Sequence, residues 1–110
     1  MAEIEHARAI IESIRERLLA EYDPLKVILF GSYAYGHPDR DSDIDLLIIK
    51  ETNQRFIDRW VEVQRLLTGL HRHLPVETLV LTPAELDERL RIGDQFIMNI
   101  MERGKVLYAA

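Results

Sequence analysis

Two aspartates separated by a single residue, Asp43 and Asp45, stand at the head of an apolar run that ends at Ile49. Side chains alternate along an extended strand, so both carboxylates project from one face, about 7 Å apart along the backbone. Carboxylates so placed can converge on one or two Mg²⁺ ions, and in two-metal sites the ions lie ~3.5–4 Å apart and stabilise the attacking and leaving oxygens together. Without a cation, pairing them beside an apolar strand is costly. A third carboxylate would complete the coordination. Glu77, at the start of the run Val76 to Leu81, is the best placed. Upstream, Gly31-Ser32 follows the apolar run Val27 to Phe30. The glycine lets the backbone approach a phosphate closely, and a helical turn starting at Ser32 would offer N–H groups and a hydroxyl to an anion.

Each feature also has an ordinary explanation. Gly-Ser after a strand is commonly a turn, Asp-Ser-Asp in a loop commonly does turn and capping work, and a glutamate at the head of a strand commonly faces solvent. Asp45 escapes the second explanation, because it lies inside Ile44 to Ile49, where capping is unavailable. The combination in this order is far more specific than any member. Other candidates carry less. His71 and His73 flank Arg72 at the expected end of a helix, where the dipole accounts for basic residues better than metal ligation does. His37-Pro38, Asp39 and Asp41 read as loop and turn residues, and His6 falls on the polar side of the first helix.

The elements that must position these residues follow from periodicity. Residues 3 to 21 put Ile4, Ala7, Ile11, Ile14 and Leu18 on one helical stripe, and Tyr22-Asp23-Pro24 ends it. Val27 to Phe30 and Ile44 to Ile49 are apolar on both faces, as buried strands are. Between them lies a polar loop, residues 31 to 42, with room for one helical turn at its start. Asn53 is placed to cap a helix over 54 to 72 with Phe56, Trp60, Val63, Leu67 and Leu70 inward. Pro75 precedes a third strand, Val76 to Leu81, and Thr82-Pro83-Ala84-Glu85 has the form of a capping box opening a helix to Ile92. Gly93 breaks that helix, another covers 94 to 102, and Val106 to Tyr108 adds a short edge strand after Gly104. The fold class is α+β: a mixed sheet of three to four strands flanked by helices.

At 110 residues, one domain spanning 1–110 is expected. There is no cysteine, which excludes disulfides and thiolate metal sites. The charged opening segment does not resemble a secretion signal, and no apolar run approaches the roughly 20 residues of a membrane span. A soluble cytoplasmic protein is therefore expected, with no membrane partner. A net charge of -5 without a basic block argues against nucleic-acid binding. It is compatible with a nucleotide if divalent metals bridge the negative charges. The run Phe96 to Met101 is apolar nearly all round, which suits either core or a partner contact.

Gly31-Ser32, ten intervening residues, then Asp43-Ile44-Asp45 resembles the motif of the nucleotidyltransferase superfamily that includes polymerase-beta-like enzymes. The flanking Phe30-Gly31-Ser32-Tyr33-Ala34-Tyr35-Gly36 and Asp41-Ser42-Asp43-Ile44-Asp45-Leu46 are most similar to its minimal nucleotidyltransferase group, and the likeness covers nearly the whole chain. The resemblance implies the small nucleotidyltransferase fold. It implies that Gly31 and Ser32 hold the triphosphate of ATP, that Asp43 and Asp45 bind Mg²⁺ (two ions, with Mn²⁺ as a substitute), and that Glu77 helps bind the catalytic metal and activates the acceptor hydroxyl. Many relatives carry arginine where this chain has Tyr35, a departure that bears on nucleotide affinity and rate. Larger relatives add domains to hold base and acceptor. The minimal group pairs instead with a helical HEPN toxin, which implies a hetero-oligomer and an antitoxin that adenylylates a tyrosine of its partner. The rival expectation is a non-catalytic module that neutralises its partner by covering it. Transfer to a small molecule such as an aminoglycoside is a weaker third.

Overall fold

The structure, a computed structural model, describes residues 2–39 and 41–110, with side chains from residue 5 onward. Helix α1 (Ala2–Glu21) is followed by β1 (Lys26–Phe30), a single turn α2 (Ser32–Tyr35), β2 (Ile44–Ile49), α3 (Phe56–Leu67) and β3 (Val76–Leu81). Then come α4 (Pro83–Arg91), α5 (Gln95–Arg103) and β4 (Lys105–Ala109). The strands form one sheet in the order β3-β2-β1-β4. β1 runs antiparallel to both β2 and β4, whereas β2 and β3 are parallel. A parallel pair needs a crossover rather than a hairpin, and α3 supplies it. The expected mixed sheet, including the edge strand at 106–108, is the one found.

The continuous apolar runs of β1 and β2 have a direct cause: helices cover both faces of the central strands. On one face Val27, Leu29, Ile44, Leu46 and Ile48 pack with Ile10, Ile11, Ile14 and Leu18 of α1 and with Val63 and Leu67 of α3. On the other, Ile28, Leu47 and Ile49 pack with Leu81 and with Ile97 and Ile100 of α5. Each such side chain contributes about 1.5–3 kcal/mol of burial. The α1 stripe is as expected for Ala7, Ile11, Ile14 and Leu18, with Ile10 added; Ile4 lies outside the residues whose side chains are described. Asp23, at φ 53°, turns the chain out of α1. Thr82 and Glu85 form the expected capping box on α4, each side chain accepting from the other's backbone N–H. Among the described residues, no helix is long and apolar enough to cross a membrane.

The helix expected over 54–72 is the main correction. It spans Phe56–Leu67, begins at Arg55 rather than after an Asn53 cap, and its N-terminal residue makes no side-chain cap. Phe56 and Trp60 are 49% and 41% exposed, and the buried face carries Arg59 instead. Arg59 is drawn in because each of its three nitrogens finds an acceptor: the carbonyl oxygens of Gln54 (2.9 Å) and Val80 (3.3 Å), and the Glu85 carboxylate at 2.6 Å and 3.3 Å. That clamp ties α3, β3 and α4 together. It also holds the Glu85 carboxyl below the usual carboxylate range, mainly through the Arg59 hydrogen bond. Beyond Leu67 the chain leaves the helix, with Leu70 still packed on the core.

Candidate active site

The alternation of β2 decides which way its aspartate points. Ile44, Leu46 and Ile48 face α1 and α3, so Asp45 faces the α5 side with Leu47 and Ile49. The antiparallel register sets Asp45 opposite Phe30, and the parallel register sets it opposite Glu77. Glu77 shares a side of its strand with Leu79 and Leu81, both packed in the α5-side core, so it projects to the same face. Asp43 immediately precedes β2, and its influence on Asp45 puts it in the same neighbourhood. The structure thus brings Asp43, Asp45 and Glu77 to one end of one sheet face.

Gly31 explains itself through its neighbour. It leaves β1 at φ 76°, a left-handed conformation, and a Cβ there would lie 2.2 Å from Asp45 Oδ2. Only glycine satisfies both conditions. The Asp45 carboxylate therefore rests against the bare backbone at the end of β1. Ser32 opens α2 directly after, and the N–H groups of Ala34 and Tyr35 both donate to the Gly31 carbonyl at 3.0 Å, closing the turn. The Ser32 hydroxyl has no hydrogen-bond partner among the described residues. The loop back to β2 is held by its own turn: Asp41 N–H donates to Asp39 Oδ1 (2.8 Å) and Asp39 N–H to Ser42 Oγ (2.9 Å). Asp39 is a turn residue, as expected.

The carboxylates repel. Burial first, then the charges of Asp43 and Glu77, push the Asp45 carboxyl up to about 6. Among the described residues, no three His, Asp or Glu side chains are drawn together closely enough to hold a metal by themselves. The donor set nevertheless fits magnesium. Mg²⁺ takes hard oxygen ligands and is held by one or two carboxylates plus substrate phosphates, rather than by an all-protein cage. Asp43 and Asp45, with Glu77 opposite Asp45, would be the protein's share, and a cation there would offset the charge that burial and the neighbouring carboxylates make costly at Asp45. Bound there, it would polarise a phosphoryl oxygen and neutralise developing charge.

Of the histidines, His37 adjoins the turn, its backbone N–H donating to the Ser32 carbonyl at 3.1 Å, while the others are engaged elsewhere. His71 Nδ1 pairs with the Leu74 carbonyl at 2.8 Å, and His73 stacks on His6. One residue near the site was not singled out from sequence: Arg103, the last of α5, whose guanidinium carbon lies 4.2 Å from the centre of the Tyr35 ring. A basic residue just before Gly104 is the sole local signal of it, since the contact joins two distant segments.

The nucleotidyltransferase domain family matches residues 11–107 of the chain. A protein of Methanocaldococcus jannaschii named "Putative protein adenylyltransferase" is 32% identical over 83 residues, covering 76% of this chain and 77% of that protein. Among solved structures, a "putative nucleotidyltransferase" from Sulfolobus solfataricus superposes with a TM-score of 0.51 at 28% identity, over 77% of this chain and 71% of its own. A chain from a crystal structure of a toxin-antitoxin with AMP-PNP gives a TM-score of 0.61 at 26% identity, over 90% and 73%. The match extends from α1 into β4 and takes in every strand that positions the carboxylates. This chain belongs to the nucleotidyltransferase domain family of the polymerase-beta-like superfamily, whose members generally work with divalent metal ions, and is a nucleotidyltransferase.

Proposed function

We propose that this chain acts as a single minimal domain in the cytoplasm, transferring AMP from ATP, with magnesium, to a tyrosine hydroxyl of a helical HEPN-type toxin and thereby neutralising it. The observation that carries the reading is the seating of the Asp45 carboxylate against the Gly31 backbone, level with Glu77 and next to Asp43. That arrangement brings a phosphate-approach turn and uncompensated carboxylates to one point. Support for the acceptor class comes from what the relatives are named for: protein adenylyl transfer in one, and a toxin-antitoxin with AMP-PNP in the other.

In this reading Gly31 and Ser32 hold the triphosphate, Asp43, Asp45 and Glu77 supply the protein's metal ligands, and Glu77 also takes the proton of the acceptor hydroxyl. The hydroxyl oxygen bonds to the α-phosphorus, the bond from that phosphorus to the bridging oxygen breaks, and pyrophosphate leaves. Apolar side chains are exposed on and just before α5: Ile92, Phe96 and Met98 are 60%, 56% and 39% exposed, with Phe96 and Met98 on opposite flanks of the helix. Contact through them would remove apolar area from water. Met101, half-buried against the core, is less accessible to a partner.

The test is the intact mass of a co-expressed helical toxin after incubation with ATP and Mg²⁺, using wild-type protein and the Asp43→Asn, Asp45→Asn double variant. Added AMP with wild type and none with the variant is expected. An unmodified toxin in both reactions, with neutralisation undiminished in the variant, would leave neutralisation by complex formation alone.

A further inference from the structure

We propose that Arg103 is a phosphate-binding residue of the nucleotide site, held in place by Tyr35; the inference rests on the nucleotide reading given above. Topology brings it there. Because β4 runs antiparallel to β1 with Lys105 beside Leu29, the end of α5 falls at the Gly31 end of β1. Gly104 allows this approach: a Cβ there would lie 2.5 Å from Ile28 Cγ2 and from the Ile100 carbonyl oxygen. Through Ile97 and Ile100, α5 packs on the sheet face that carries Asp45 and Glu77. Arg103 therefore emerges on the carboxylate face, at the carboxylate end.

The stacking decides what the cation can do. A guanidinium lying over an aromatic ring uses its face, leaving the N–H donors around its edge available. Among the described residues Arg103 has no carboxylate partner, which it shares with Arg8, Arg65 and Arg72, whereas Arg15, Arg17, Arg55, Arg59, Arg89 and Arg91 each have one. Of the unpaired ones, Arg103 is the one lying on Tyr35. Its ring platform, Tyr35, closes the α2 turn that Ser32 opens, so the fork is anchored to the same four-residue turn that follows Gly31. A basic residue in the last turn of a helix is ordinarily explained by the helix dipole. The dipole does not account for a side chain that leaves the helix end to lie on Tyr35. In a site whose other charges are Asp43, Asp45 and Glu77, a planar cation with unused donors suits the terminal phosphates, which it can grip bidentately.

Titration calorimetry in Mg²⁺ with ATP and with AMP tests the assignment on wild type, Arg103→Gln, Arg103→Lys, Tyr35→Ala and the Arg103→Gln, Tyr35→Ala double variant. Arg103→Gln is expected to weaken ATP binding about tenfold or more, the loss of a charge-assisted contact. It should leave AMP binding and thermal stability unchanged, and Arg103→Lys should recover part of the loss. Tyr35→Ala should weaken ATP binding in the wild-type background and add nothing once Arg103 is gone, since its effect runs through the arginine. Wild-type affinity for ATP in Arg103→Gln would overturn the inference while leaving the nucleotide site intact. An equal loss for ATP and AMP would overturn it too, by marking a structural role. No ATP binding by the wild type would overturn the nucleotide reading itself.

Discussion

Asp45→Asn isolates the cost of a partly buried charge held beside two other carboxylates. The carboxyl is displaced from 3.8 to about 6 by burial and by its two acidic neighbours, so the folded protein holds the proton more tightly than the unfolded chain does. Asp45 therefore takes nothing from stability below pH 3.8, takes progressively more as the pH climbs through 6, and reaches its full cost above about 7. At 1.36 kcal/mol per tenfold change in proton affinity, a sealed group would cost ~3 kcal/mol, and solvent screening of a partly exposed one reduces that to about 1–2 kcal/mol. Asparagine keeps the shape and drops the charge. In EDTA at pH 8 the variant should be more stable than wild type by about 1–2 kcal/mol in urea unfolding, roughly 4–16 °C in Tm. The gap should shrink towards zero near pH 4. Adding Mg²⁺ should then raise the wild type more than the variant, because only the wild type has the full ligand charge. A variant less stable than wild type in EDTA at pH 8 would refute the reasoning, since the carboxylate would then be held by a favourable interaction.

Three further outcomes are expected. Ser32→Ala should weaken ATP binding by about 1–3 kcal/mol in calorimetry while leaving Tm within a few degrees, because its hydroxyl makes no hydrogen bond within the described chain. Gly31→Ala should destabilise the domain by more than about 1 kcal/mol in urea, since positive φ and the Asp45 carboxylate both oppose a methyl group. Glu85→Gln should cost about 1 kcal/mol at pH 7 through its weakened bond to Arg59. Glu85 has the opposite sign to Asp45: its folded carboxyl titrates lower than 4.5, so its contribution is present above that value and fades as the pH falls through the lower one. The wild-type and Glu85→Gln curves should converge in acid.

Several element boundaries were legible because a residue with a backbone reason to stop stands there: Pro24, Gly31, Pro75 and Gly93. β2 and β3 have the bounds read from apolar runs alone. The face of α3 was not legible, because the pattern that favours Phe56 and Trp60 takes no account of a buried arginine. Arg59 is inside only because Val80 and Glu85, far along the chain, supply its acceptors. The spacing of Asp43 and Asp45 correctly gave a shared neighbourhood. It could not give the reason for Gly31, which is a clash with a side chain from the neighbouring strand, nor the stacking of Arg103 on Tyr35.

The antiparallel pairing of β1 with β2 works as a ruler. Phe30 sits opposite Asp45 whatever the chain does between them, because five successive residue pairs fix the ladder. The Gly31 turn and the carboxylates are thus spaced by the sheet, and the segment joining them only has to reach. Lengthening a flexible loop is thermodynamically mild, about 0.6 kcal/mol for each doubling. The stretch from Gly36 to Asp39 can accordingly change in length and composition without moving a reacting group. Loop and ladder are mechanically uncoupled here, so the segment can be rewritten while the spacing of Gly31, Asp45 and Glu77 stays as it was.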